Sequence, residues 1–257
     1  MTQSVWDAFD FNDEERLRER LAQGCDPDEA RYDTRPLIYS VDRAWGEGLR
    51  ALLAAGASVD AKDERGDTAL LRACVVRRSD MVEALLDAGA DIEGPNKIGA
   101  TPLLYACRLG AGYANELSIT HQNADGTTEQ KTIGADEVRL SYLALVVRLI
   151  ERGARLDARN PDGCSALHFA VQAGDTDFTR LLLERGADAS SADEGGFTSL
   201  HDAAAAGRLD LVELLLAHGA RREVRVRTGW KDIKEGMTAR EVAETRGHVG
   251  VAAALGA

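Results

Sequence analysis

A repeat of 33 residues is the feature that most constrains this chain. The segment 163–188 is followed by a similar segment at 196–221. Ser165 aligns with Thr198, and His168 aligns with His201, each 33 positions later. A fixed period of this length indicates small structural repeats stacked in a row, which together form a solenoid, and not a single closed core.

Each copy carries the local signals of two short helices. Ser165 precedes an apolar segment, where its hydroxyl can cap a helix. Gly174 is suited to the left-handed turn that ends this first helix. A second apolar pattern through Leu182 stops at Gly186. Two helices this short cannot bury a core by themselves, so they are stable only when stacked on neighbours.

The motifs resemble those of the ankyrin repeat. The clearest are Gly-Ala-Thr-Pro-Leu at 99–103, Phe-Thr-Ser-Leu-His at 197–201, and the Leu-Leu-x-x-Gly-Ala endings. The resemblance covers nearly the whole chain, and its copies agree in register. It implies an all-α solenoid of about seven helix-turn-helix repeats with β-hairpin connectors. It also implies a non-catalytic protein that binds other proteins.

The repeat motifs divide the chain into one solenoid domain with a capping repeat at each end. The expected divisions are 1–34, 35–67, 68–100, 101–164, 165–197, 198–237 and 238–257. One repeat has an insertion at about 110–140: Gly110 and Gly153 lie 43 positions apart, against 12 for the equivalent Gly174 and Gly186, so 31 residues are added.

The insertion carries the signals of a β-hairpin. Ser-Ile-Thr and Lys-Thr-Ile flank Asp125-Gly126, a turn signal between alternating segments. A helical pattern resumes near Asp136, which predicts that the second helix of this repeat is extended at its start. Long insertions in repeat proteins map to surface loops, which are either functional or neutral excursions. Both alternatives stay open.

A second irregularity lies in the connector at 221–236. Gly219 and Thr238 are 19 positions apart, where Gly186 and Thr198 are 12 apart. Valines alternate with arginines over 224–227 before a Thr-Gly-Trp turn, which predicts an elongated hairpin finger tipped near Trp230. Six basic and three acidic residues lie between 221 and 235.

The charge and composition limit the classes of partner. The chain has 44% apolar and 29% charged residues and a net charge of −12. Nucleic-acid binding usually needs a basic face, so this charge disfavours it and favours a basic protein partner. The residues 1–34 carry a net −6, which suits either a polar capping face or an acidic docking face.

The composition also bears on location and source. No apolar stretch is long enough to span a membrane, and the acidic N-terminus lacks the pattern of a signal peptide. We therefore expect a cytoplasmic protein, monomeric by default. Arginine outnumbers lysine strongly among the 31 basic residues, a weak indication of a GC-rich bacterial genome.

The sequence predicts no catalytic, metal or cofactor site. It has no phosphate-binding loop, zinc helix or nucleophile elbow. His168 and His201 recur at one repeat position, which favours a structural role. Cys74 and Cys107 occupy positions where the family prefers alanine, which indicates small core residues. His121, near Asp125 and Glu129, offers at most a small polar site.

The resemblance implies that a partner protein contacts the connectors and the first helices of the repeats. The residues expected to do so are Tyr32, Arg43, Glu64, Arg65, Asp67, Lys97, Ile98, Arg108, Leu109, Tyr113, Phe197 and Trp230. Large apolar and arginine side chains often dominate the energy of an interface. A bacterial inhibitor or immunity protein that masks a toxin or enzyme is one variant, and an enzyme or ligand-binding protein that uses 110–140 is another.

Overall fold

The computed structural model describes residues 4–31, 33–112, 117–122, 128–133 and 135–256, and it gives no side-chain environment for 109–136, 138 and 139. The helices of this part are α1 Glu14–Ala22, α2 Pro36–Asp42, α3 Gly46–Ala54, α4 Ala69–Val75, α5 Ser79–Asp87, α6 Pro102–Gly112, α7 Ala135–Glu151, α8 Ala166–Gln172, α9 Thr176–Glu184, α10 Ser199–Ala205, α11 Leu209–Ala217, α12 Ala239–Thr245 and α13 Val249–Gly256. The strands are β1 Leu117–Gln122 and β2 Thr128–Ile133. No described helix has both the length and the apolar character needed to cross a bilayer.

The chain divides into two compact units. The N-terminal unit holds residues 1–106 and 113–154, and the C-terminal unit holds 107–112 and 155–257. Within each unit the helices follow the predicted repeat: a first helix of seven residues pairs with a second of nine in α2–α3, α4–α5, α8–α9 and α10–α11. The predicted all-α architecture of stacked helix pairs is confirmed.

Stacking in the N-terminal unit buries one layer of side chains between successive repeats. The first helices α2 and α4 contact each other, and so do the second helices α3 and α5. Leu52 and Leu85, which are 33 residues apart, are both fully buried. At about 25 cal/mol per Å² of apolar surface, each such leucine stabilises the stack by roughly 1.5–3 kcal/mol.

An aromatic cluster closes the start of this unit. A 3-10 turn over Val5–Ala8 places Trp6 and Phe9 against Tyr39 of α2, with ring centroids 5.4 and 5.5 Å apart. Phe9 also meets the Trp45 ring edge-on at 5.2 Å. The capping role predicted for this segment therefore has a physical basis in buried aromatic area.

The first helices of the C-terminal unit begin with reciprocal caps. The N–H of Ser165 donates to Nδ1 of His168 at 3.1 Å, so the imidazole proton lies on Nε2, which donates to the Phe197 carbonyl at 3.2 Å. Thr198 and His201 repeat the cap with the same 3.1 Å bond. Burial lowers the pKa of both imidazoles, which keeps them neutral at pH 7. The structural role predicted for these histidines is confirmed.

The insertion contains the predicted β-hairpin. Strands β1 and β2 are antiparallel, with Leu117 opposite Ile133 and Gln122 opposite Thr128. The predicted turn at Asp125-Gly126 lies outside the described residues. Helix α7 has 17 residues where the equivalent helices have nine, so the predicted extension is confirmed. Arg152, which directly follows α7, binds Asp87 of α5 at 2.8 Å and ties the end of this helix to its own unit.

Adjacent connectors touch through their backbones. In the N-terminal unit the N–H of Lys97 donates to the carbonyl of Arg65 at 3.2 Å. Gly66 permits this approach, because a Cβ on it would lie 2.9 Å from the Lys97 nitrogen. Gly66 also has a φ of +77°, which favours glycine. The predicted hairpin connectors are tight turns in which only isolated β-bridges form, such as Ala192 with Thr198.

We expect the substitution Gly66→Ala to lower the free energy of unfolding by about 2–4 kcal/mol. The alanine would be held in the left-handed backbone conformation, and its Cβ would clash with the backbone nitrogen of Lys97. Gly89→Ala is the matched control: its φ is +87°, but its Cβ would meet open space, so only about 1–2 kcal/mol is lost. Urea denaturation of both variants measures the difference. Equal losses would show that the contact between connectors carries no stability.

Candidate functional site

An aspartate or asparagine shapes every regular connector. Oδ1 of Asp63 accepts from the N–H groups of Arg65 and Asp67, both at 2.8 Å. Asn96 does the same for Ile98 and Ala100 at 3.1 and 3.0 Å. In the C-terminal unit, Asn160 and Asp193 hold the equivalent positions. These bonds fix a turn whose two central residues point away from the helices, and we call those two residues the tip.

The tips of the N-terminal unit are the pairs Glu64-Arg65 and Lys97-Ile98. All four residues are exposed, as predicted, and Ile98 has 50% of its surface in solvent. The bond between the backbones of Lys97 and Arg65 places the two pairs side by side. The result is a small surface with two basic groups, one carboxylate and one aliphatic side chain. Its backbone is fixed by hydrogen bonds.

The prediction that Asp67 is exposed to a partner is wrong. Its side chain lies just after the tip and is only 2% exposed. Nδ2 of Asn96 donates to Asp67 Oδ1 at 2.8 Å, so the carboxylate links two successive connectors. A buried carboxylate keeps such a partner because leaving it unpaired is costly.

Phe197 is only partly exposed, less than the prediction of an open contact residue implied. Its ring is partly buried and packs against the core formed by Val226, Ile233 and Val242. It meets the ring of His201 edge-on, with centroids 6.1 Å apart. The elongated connector supplies two of these core residues, Val226 and Ile233, and so covers part of the ring.

The other predicted contact residues fall into three groups. Arg43 is partly exposed at the end of α2, and Arg108 is exposed on α6. Trp230 is 56% exposed in the elongated connector. Tyr32, Tyr113 and the side chain of Leu109 lie outside the described residues.

The first helices of the N-terminal unit carry a charged pair beside the connectors. Arg72 of α4 donates from Nε and Nη2 to Oδ1 of Asp42 on α2, at 2.9 and 2.7 Å. Burial raises the pKa of Asp42, Arg72 opposes that rise, and the carboxylates of Asp63 and Asp67 add to it. Three carboxylates therefore surround one guanidinium on the outward side of these helices.

The C-terminal unit has a similar acidic surface with no arginine at its centre. Nε2 of Gln172 on α8 donates to Asp202 on α10 at 3.0 Å. Burial, opposed by the hydrogen bond from Gln172 and helped by the charge of Asp193, raises the Asp202 pKa to about 6. Burial also raises the pKa of Cys164 to about 11, helped by the charges of Asp193, Asp202 and Asp162 and opposed by that of Arg159. We call this group of Asp162, Asp193 and Asp202 the acidic floor.

Sequence reasoning missed two sets of residues here. The first is the Asp or Asn that shapes each connector, and its 33-residue spacing could have revealed it. The second is the position four residues after the Ser or Thr that starts the first helix in four central repeats, which holds Arg72, Tyr105, Phe169 and Asp202. All four are partly exposed, and their variation is typical of positions that the stack leaves unconstrained.

Burial raises the pKa of the Cys74 thiol to about 12, which keeps it protonated at neutral pH. Cys74 and Cys107 are buried, as predicted. No group of three or more metal-ligating side chains occurs within the ranges that the structure describes.

Comparison with known proteins identifies the repeat. The family model described as ankyrin repeats (3 copies) matches residues 6–96, 37–130 and 138–226. The chain is similar to the ankyrin repeat domain of Bcl-3, a unique member of the IkappaB protein family: the TM-score is 0.75 and the identity 25%, over 98% of this chain and 97% of that one. No curated protein matches in a sequence comparison. With its stacked helix pairs, the chain is an all-α solenoid and belongs to the ankyrin repeat family.

Proposed function

We propose that this protein is a non-catalytic scaffold that binds a partner protein through its connector tips and first helices. Ankyrin repeat domains are generally protein-binding scaffolds and typically lack catalysis. The proposal rests on one observation at the tips. Side chains such as Ile98 are exposed there, whereas the backbone that carries them is fixed by hydrogen bonds. A preorganised surface loses little conformational entropy on binding, so more of its contact energy appears as affinity.

The partner that fits best presents basic side chains to the first helices. Carboxylates concentrate on and beside these helices in both units: Asp42 and Asp63 in one, and the acidic floor in the other. Asp202 is the clearest case, because burial makes its charge costly and only the neutral amide of Gln172 is bonded to it among the described residues. A lysine or arginine from a partner would offset that cost. The net charge of −12 would also steer a basic partner toward the chain.

A photo-crosslinking side chain placed at residue 98 tests the proposal directly. The partner cross-linked from the extract of the source organism is identified by mass spectrometry and produced pure. The same label at Asp87, which is exposed on α5, serves as the control. An activity assay of the purified partner then separates masking of a toxin or enzyme from simple tethering.

With the partner in hand, Ile98→Ala should weaken binding by about 1–3 kcal/mol, which is roughly five- to 150-fold. The melting temperature should barely change, because half of the side chain is already in water. Phe11→Ala is the matched control, since Phe11 is 80% exposed in the same unit and lies far from the tips in sequence. Calorimetry measures both. A larger loss from Phe11→Ala would contradict the assignment of the site to the tips.

Asp202→Asn tests the acidic floor without knowledge of the partner. The folded-state pKa of about 6 exceeds the ordinary 3.8, so the folded protein binds more protons between these values. The carboxylate therefore costs stability as pH rises through this window, and the full cost is present above about pH 6. Asparagine removes the charge and can still accept from Gln172.

We expect Asp202→Asn to raise the free energy of unfolding by about 1–2 kcal/mol at pH 7.5, after allowance for partial solvent screening. The gain should shrink as pH falls toward 4, where the native aspartate is itself neutral. Urea denaturation across this range measures it. If the gain in the free energy of unfolding does not depend on pH, the ionised carboxylate of Asp202 does not lower the stability of the native protein. The same variant should bind a basic partner more weakly.

A further inference from the structure

The elongated connector forms a finger, defined here as residues 221–236. Its two sides are joined by backbone bonds between Val226 and Met237, and between Gly236 and Val226, at 3.0 and 2.9 Å. Near its end, Trp230 and Ile233 exchange two backbone hydrogen bonds of 2.9 and 3.0 Å, which closes a tight turn. The predicted hairpin finger with Trp230 near its tip is therefore present in the structure.

The finger is held rigidly against the last helices. Val226 and Ile233 are 2% and 3% exposed and pack on Val242 of α12. Arg246 donates to both carboxylate oxygens of Asp232 at 2.9 and 2.7 Å. A bidentate pair of this kind fixes orientation as well as distance. The outer surface of the finger is consequently presented in one conformation.

The outer surface combines an exposed aromatic ring with an excess of basic over acidic side chains. The Nζ of Lys231 lies 4.0 Å from the centroid of the Trp230 ring, so a cation covers one part of an indole that is otherwise open to solvent. Arg227 is exposed on the same hairpin. Among the described residues, no carboxylate lies within ion-pair distance of Arg227, Lys231 or Lys234. Asp232 also interacts electrostatically with Lys231, but its two carboxylate oxygens are paired with Arg246.

We propose that the finger binds an acidic segment of a partner protein. Carboxylates of that segment contact Arg227 and Lys231, and one of its apolar side chains covers the ring of Trp230. This deepens the proposed scaffold function and rests on it, because it assigns one chemistry to one part of the binding surface. The two surfaces of the C-terminal unit then differ in sign: the acidic floor suits cations, whereas the finger suits anions. A partner with both kinds of segment gains specificity from the register between them.

A protein segment fits the finger better than a nucleic acid does. The positive charge is confined to one hairpin in a chain of net charge −12. A nucleic acid carries phosphates along its whole length and would meet repulsion beyond the finger. A short acidic peptide meets the finger alone. The indole also offers apolar area, which a peptide with an aromatic residue can cover.

The tryptophans of the chain provide the measurement. Trp6 and Trp45 are 6% and 5% exposed, so Trp230 is the one tryptophan of three that lies in solvent. The probe is a peptide of repeated Glu-Glu-Phe units, added to the full-length chain, with Lys-Lys-Phe and Gln-Gln-Phe peptides of equal length as controls. Covering the indole should shift the emission of Trp230 to shorter wavelength, and calorimetry gives the affinity independently.

We expect the Glu-Glu-Phe peptide to bind saturably and more weakly as salt rises, with a blue shift that is absent in Trp230→Phe. The double variant Arg227→Glu with Lys231→Glu should weaken binding about tenfold or more. The matched control reverses two exposed arginines, Arg180 of α9 and Arg185 directly after it, in the double variant Arg180→Glu with Arg185→Glu. It changes the net charge equally and should alter affinity less than about twofold. Circular dichroism and melting temperature confirm that each variant is folded.

Four results would overturn the proposal. They are the absence of saturable binding, equal binding of the Lys-Lys-Phe peptide, equal losses in the two charge-reversal variants, and tighter binding of a single-stranded oligonucleotide than of the acidic peptide. None of them depends on the tips of the N-terminal unit. Failure here would leave the scaffold proposal standing, whereas failure of the cross-link at residue 98 would not affect the peptide titration.

Discussion

The structure depends on one constraint: no helix pair in it can be stable alone. Helices of seven and nine residues are too short to persist in water. Ordering the first turn of a helix costs more conformational entropy than its first hydrogen bond offsets. Each pair therefore needs a neighbour on which to bury its leucines. This requirement explains why the buried Leu52 has an equivalent in Leu85, 33 residues later. The length of every regular connector follows from it, because the chain must return to start the next pair in register.

The same constraint brings successive connectors so close that their backbones touch. A carbonyl at one tip accepts from an N–H at the next, and only a glycine such as Gly66 leaves room for this contact. The Asp or Asn of each connector then satisfies the remaining N–H groups of the turn. Stability thus uses the backbone and the inner side chains. The side chains of the two tip residues and of the outward positions of the first helices are not required for this stacking.

Because these positions are not required for stacking, charged side chains can accumulate on the outward side of the first helices. Asp202 and Asp42 both have raised pKa values because their surroundings remove water from them. Asp42 has Arg72 to offset the cost, whereas Asp202 has only an amide. A residue that lowers stability without a compensating contact is typical of a binding site, where the compensation comes from the partner.

Much of the fold could be predicted from the sequence because its signals are local and repeated. Thr68 and Thr238 cap helices as their positions indicated, and alternation in the insertion predicted the pairing of β1 with β2. The candidate site was harder to predict. Burial of Asp67 depends on the amide of Asn96, which lies one repeat away. A motif within a single repeat cannot show which side chain of the next repeat will cover it.

Phe197 and Trp230 show how one change of connector length alters both stability and the candidate surface. At the position of Phe197 the neighbouring repeat has Cys164, and both side chains are partly buried. The longer connector after α11 brings Val226 and Ile233 against Phe197, so the larger ring packs on an apolar cluster. The same buried contact anchors the finger and so holds Trp230 in solvent. The more exposed aromatic group therefore lies at the far end of the connector, and the cluster on which Phe197 packs supports it there.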